Sequence, residues 1–166
     1  MLEVIDENVE VPINLSTKII KGVAITRIPF TSASILPMFA MASYYAGIGD
    51  GLFNITSLVL AVLGVLLLHL ASNVFNDYFD VSDGTDEANN EYFQPGGAAI
   101  TGGSRAIELG IITLNKTKSV AVALLTSSIL LASFLFYNIY SVTGSVENIK
   151  GALGVGLIGL FLGYFY

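Results

Sequence analysis

Four stretches of this chain contain no Asp, Glu, Lys or Arg: residues 28–49, 51–76, 119–146 and 151–166. A helix that crosses a bilayer needs roughly 20 apolar residues in succession. The first three stretches are long enough, and the fourth runs to the last residue of the sequence. Few architectures tolerate such runs. A soluble domain carries about 25% charged residues, whereas this chain carries 12%, with 54% hydrophobic residues and a mean hydropathy of +0.74. The reading is therefore all-α: a multi-pass transmembrane helix bundle with about four spans, near 24–46, 52–79, 118–140 and 151–166. Pro29 and Pro37 fall inside the first span, where neighbours or side chains can satisfy the freed carbonyls. Glycines at 151, 154, 156, 159 and 163 make the last span a small-residue seam suited to close helix approach. Because proteins rarely finish in mid-membrane, the chain reads as the front part of something longer.

Other features narrow the class further. There is no cysteine, which excludes disulfides and thiol ligands. Residues 1–17 are acidic and lack the basic-then-apolar order of a signal peptide, so they read as a short cytoplasmic tail. Lys and Arg set the orientation. Lys18, Lys21 and Arg27 precede the first span, Arg105, Lys116 and Lys118 separate the second from the third, and Lys150 alone lies between the third and fourth. Six against one places the N-terminus and the loop 81–117 in the cytoplasm, as for a multi-pass protein of the cell membrane.

That loop opens on an unusual block. "NVFNDYFDVSDGTDEANNEYF" holds six carboxylates in fifteen residues, Asp77 to Glu91, and no Lys or Arg. The formal net charge of −6 says little about partners, since six of the thirteen acids sit here. Nothing in the chain points to nucleic acid. If the second helix continues through Asp80, then His69, Asn73, Asn76, Asp77 and Asp80 fall within about 100° of arc, one polar stripe on an apolar cylinder. Gly84 is placed to break the helix and let Asp86 fold back. Converging carboxylates near low dielectric repel one another, and the chain supplies no counter-charge nearby in sequence. Carboxylate and carboxamide oxygens suit hard cations, Mg²⁺ above all where the cation also binds a phosphate. Acid runs beside membrane helices are often only solvated loop, but helical spacing, two asparagines and the long apolar lead-in favour a Mg²⁺ site receiving a pyrophosphate. Polar residues within membrane segments are functional candidates because they are costly to bury.

Other side chains divide between two readings each. Arg105 is a bidentate phosphate clamp or a loop anchor; Arg27 is a pyrophosphate contact or an anchor. Lys116 and Lys118 read as positive-inside anchors. His69 reads as a buried histidine bonded to a neighbouring helix rather than a base for the acceptor. Tyr78 and Phe79 suit an allylic cation or an aromatic belt.

These residues resemble a known family. "NVFNDYFDVSDGTD" is similar to the first aspartate-rich motif of the UbiA superfamily of intramembrane prenyltransferases, Asn-Asp-x-x-Asp-x-x-x-Asp, through Asn76, Asp77 and Asp80. The final Asp position is Gly84 instead. That departure resembles the menaquinone branch, the 1,4-dihydroxy-2-naphthoate polyprenyltransferases, which read Asn-Asp-Tyr-Phe-Asp and then Gly-x-Asp, here Gly84 and Asp86. "GGSRAIELGIIT" at 102–113, "TRIPFTSASILP" at 26–37 and "LGYFY" at 162–166 are similar to further parts of that branch.

The resemblance implies a bundle of about nine spans, with a second aspartate-rich motif in a C-terminal half beyond Tyr166. It implies Mg²⁺-dependent transfer of a polyprenyl group from polyprenyl pyrophosphate to an aromatic acceptor in the membrane lipid. Mg²⁺ would be held by Asp77, Asp80 and Asp86, with Asn76 as a neutral ligand. Asn73, Asn76, Arg105 and Arg27 would bind substrate. Without its second half the segment is expected to be inactive. Alternative acceptors are 4-hydroxybenzoate, chlorophyllide or a glyceryl lipid. Half of an ion-coupled transporter is the rival from another class, although midplane carboxylates would be expected there.

Overall fold

The computed structural model of the chain describes residues 22–23, 26–49, 51, 53–84, 104, 106–107 and 110–165. Among these, regular structure is entirely helical: helical residues at Gly22, Val23 and Thr26, a short 3-10 turn, and four α-helices. The turn spans Ile28–Thr31 and leads directly into helix α1, Ser32–Ile48. Helices α2, α3 and α4 are Ile55–Ser82, Leu114–Thr143 and Glu147–Phe165. Two of them, α2 and α3, are long and apolar enough to cross a membrane. At about 1.5 Å per residue, their 28 and 30 residues span roughly 42 and 45 Å. Both exceed a hydrocarbon core of about 30 Å.

Local chemistry accounts for the helix ends. The first helix was expected from about residue 24; Gly22, Val23 and Thr26 are helical, but Arg27 interrupts the helix and α1 begins at Ser32. Arg27 sits in the left-handed region at φ 52°, ψ 40°, a conformation that costs a non-glycine residue roughly 1–2 kcal/mol and cannot propagate a helix. Pro29 then occupies the first turn of the 3-10 segment, where its missing N–H is not needed. Asn54 caps α2 by accepting a 2.8 Å hydrogen bond from the Ser57 amide. At the far end Gly84, at φ +74°, stops α2 as its sequence position predicts. The helix therefore carries Asn76, Asp77 and Asp80 within it, and its last residue is Ser82.

The helices α2 and α3 pack antiparallel and form the main interface of the described residues. Three points along it fix the register. Asn138 Nδ2 reaches Ser57 Oγ at 3.4 Å, Ser128 Oγ donates to the Gly64 carbonyl at 2.9 Å, and Ala121 packs in one cluster with Val74. At Gly64 an added Cβ would lie 3.8 Å from Leu131, in ordinary van der Waals contact. Helix α1 lies against α2, and α4 touches both long helices.

The buried core is small and off centre. Ala71, Val74, Phe75, Ala106 and Ala121 form it, with Phe79, Ile111, Ile112, Leu124 and Leu125 around them. It lies where α2 ends and α3 begins, directly beneath the aspartates. Ala121 has no exposed surface, so Ala121→Leu is expected to overpack this junction and destabilise the fold by about 1–3 kcal/mol. Reversible unfolding in mixed detergent micelles measures it, and a gain in stability would mean the junction holds unfilled space.

Candidate functional site

The polar stripe on α2 is met by three different parts of the chain. Nearest the start of the helix, His69 Nδ1 lies 2.8 Å from Ser34 Oγ on α1. The histidine is thus bonded to a neighbouring helix, as its sequence position indicated. Among the described residues its Nε2 is buried with no hydrogen-bond partner. One turn further, Asn73 Nδ2 donates to the Thr26 carbonyl at 3.1 Å. One turn beyond that lies Asp77, and around it the site is built.

Asp77 is 4% exposed, so its charge requires partners. Arg27 Nη2 donates to Oδ1 at 2.7 Å, and the Ser104 amide donates to the same oxygen at 3.0 Å. The Ser104 hydroxyl donates to Oδ2. The counter-charge missing from the neighbouring sequence therefore arrives from fifty positions away. Left-handed Arg27 serves this geometry: the Thr26 carbonyl meets Asn73 while the Arg27 guanidinium meets Asp77 one turn later on the same helix.

Ser104 is held in turn by its own segment. Its hydroxyl oxygen accepts from the Ala106 amide at 3.3 Å. The Ala106 carbonyl accepts from Ile111 and Ile112 at 2.8 and 3.2 Å, and Gly110 closes the turn at φ +67°. Ala106 is buried in the core cluster. One carboxylate thus ties together the segment before α1, helix α2 and the segment leading into α3.

Aromatic residues flank this junction. Phe75 and Phe79 stack with centroids 6.0 Å apart, and Tyr78 meets Phe79 edge-on at 5.3 Å. Phe79 leans on the core, while Tyr78 carries the Lys118 ammonium over its ring at 5.6 Å. Lys118 therefore brings a second positive charge to this end of the bundle. Lys150 sits at the opposite end, paired with Glu147 at 2.6 Å.

The structure brings Arg27, Asn73 and Asp77 together and adds Ser104. Asn76 and Asp80 lie half-buried on the same helix. Asp86 and Arg105 lie outside the described residues. Ser104 was missed as a site residue because the Gly-Gly-Ser-Arg stretch was read for its arginine; the serine beside it is the group that bonds the stripe. For a metal, the donor chemistry of the stripe suits a hard cation, but its most buried carboxylate does not. Asp77 already accepts three hydrogen bonds, one of them from its counter-charge Arg27. Among the described residues no three His, Asp or Glu side chains stand close enough together to hold a metal ion.

Comparison with protein-family models, curated proteins and solved structures gave no match for this chain.

Proposed function

We propose that the chain is a multi-pass membrane protein that binds a polyprenyl pyrophosphate at the aspartate-bearing end of α2 and transfers its prenyl group to an aromatic acceptor. The preferred acceptor is 1,4-dihydroxy-2-naphthoate, as in menaquinone biosynthesis. The observation that carries this reading is the polar stripe itself. It lies on a helix long enough to cross a bilayer, and it ends in a buried aspartate held by an arginine and a serine.

Several features support the membrane setting. Only 28% and 11% of the most apolar stretches of α2 and α3 are buried, whereas the core helix of a soluble protein is mostly covered. Large side chains such as Leu36, Phe134, Val155 and Phe161 point outward, each more than 60% exposed. A soluble monomer rarely tolerates apolar surface on that scale. The antiparallel packing also gathers Arg27 and Lys118 at one end and leaves Lys150 at the other, which favours a cytoplasmic mouth.

At that mouth the chain's own groups divide the work. Lys118 and the quarter-exposed Arg27 side chain attract a pyrophosphate, and Arg27 suits phosphate oxygens through its planar fork. The exposed apolar faces of α1 and α2 give the prenyl chain a dry path away from the charged end. Tyr78 and Phe79 offer ring faces where positive charge develops on the allylic carbon. Mg²⁺ belongs to this proposal through Asn76, Asp80 and Asp86, and when bound it would neutralise pyrophosphate charge as a Lewis acid. The resemblance assigns further aspartates to a second half outside these residues.

The test is transfer in proteoliposomes containing the intact gene product, with labelled polyprenyl pyrophosphate and 1,4-dihydroxy-2-naphthoate. Prenylated naphthoate that disappears with EDTA and returns with Mg²⁺ is the expected result. A product with 4-hydroxybenzoate alone would move the acceptor. No product with any aromatic acceptor would remove the reading.

A further inference from the structure

We infer that Asp77 is a positioning residue that latches the segment before α1 and Ser104 onto α2, and that it is not a ligand for a divalent cation. The latch stands on geometry alone; the assignment of cation binding elsewhere rests on the prenyl-transfer reading.

The bonding of Asp77 carries the inference. A metal-binding carboxylate at a membrane mouth needs an oxygen open toward the cation, and its charge must still be uncompensated. Asp77 has neither feature to spare. Its Oδ1 takes both the Arg27 guanidinium and the Ser104 amide, its Oδ2 takes the Ser104 hydroxyl, and the residue is 4% exposed. These donors come from segments that no other hydrogen bond among the described residues joins to each other. Among the described residues before α1, a further hydrogen bond to this part of α2 runs from Asn73 to the Thr26 carbonyl. Among the described residues after the acidic block, Ser104 is the first to bond the helix, and Ala106 enters the core two residues later. Ionised Asp77 thus selects the loop arrangement by charge and by direction of hydrogen bonding. Asp80 lies one turn further along α2 and is half-buried.

Two readouts on the full chain in detergent micelles separate the roles. Amide hydrogen exchange at Ser104, Ile111 and Ile112 follows the latch. Mn²⁺ titration by electron paramagnetic resonance follows cation binding, with Mn²⁺ as the probe. Asp77→Leu removes every acceptor, so exchange at Ser104 should rise at least tenfold. Arg27→Ala should raise it as well, because the carboxylate loses its counter-charge. Adding Asp77→Asn to Arg27→Ala should restore protection, since a neutral amide needs no counter-charge and still accepts from the Ser104 amide. Asp77→Asn alone, which covers the case in which Asp77→Leu does not fold, should leave Mn²⁺ affinity within about twofold. Tenfold weaker Mn²⁺ binding in Asp77→Asn with unchanged exchange would overturn the inference, as would unchanged Ser104 exchange in both Arg27→Ala and Asp77→Leu. Should the parent chain bind no Mn²⁺, the cation part of the prenyl-transfer reading fails while the exchange data still decide the latch.

Discussion

Replacing Arg27 with alanine should lower the unfolding free energy by about 3 kcal/mol, near the low end of the range for stranding one member of a buried ion pair. The asymmetry of the pair sets the figure. The Asp77 side chain is 5% exposed and the Arg27 side chain 25%, so water entering the vacated space meets only the edge of the carboxylate. Two Ser104 donors remain to Asp77, and they moderate the loss without supplying charge. Asp77→Asn should cost less, about 1–2 kcal/mol, because it removes a hydrogen-bonding strength rather than stranding a charge. A double-mutant cycle on reversible unfolding in mixed micelles checks both. The double variant Arg27→Ala/Asp77→Asn should be more stable than Arg27→Ala alone, with a coupling of at least about 1 kcal/mol between the sites. Additive losses would mean that the pair contributes nothing beyond its separate contacts.

Much of this architecture is legible in the sequence because its elements are dictated locally. Charge-free runs locate all four helices, Gly84 marks the end of α2, and 3.6-residue spacing alone puts His69, Asn73 and Asp77 on one face. The start of α1 was less legible. Pro29 and the apolar run from Ile28 look like helix interior, yet left-handed Arg27 interrupts the helix between Thr26 and Ser32. That conformation is held by contacts to Asn73 and Asp77 far along the chain, which no local pattern encodes. The same distance hid the counter-charge. An acidic block without nearby Lys or Arg invites a cation from solution, and only the fold shows a guanidinium brought from fifty positions away. Ser104 was obscured for a different reason: its backbone amide does as much as its hydroxyl, and an amide leaves no trace in residue identity.

The contrast between two aspartates one turn apart yields the other large effect. If the prenyl-transfer reading holds, Asp80→Asn in the intact gene product should lower transfer by about a hundredfold or more, since losing cation stabilisation of the leaving group costs several kcal/mol of barrier. Stability should fall less than in Asp77→Asn, because Asp80 is half-buried where Asp77 is buried. Asp77→Asn should give the opposite pattern: lower stability, and a transfer rate that recovers toward the parent value when polyprenyl pyrophosphate is raised, since a loosened Arg27 and Ser104 weaken binding more than chemistry. The measurement is kcat and KM for both variants across a Mg²⁺ series, alongside unfolding of the same preparations. A loss of kcat at Asp77 equal to that at Asp80, with the same shift in Mg²⁺ dependence, would mean that substrate binding rearranges the latch and turns Asp77 toward the cation. Unchanged turnover in Asp80→Asn would remove the carboxylate stripe from the chemistry and leave it as the device that closes the end of the bundle.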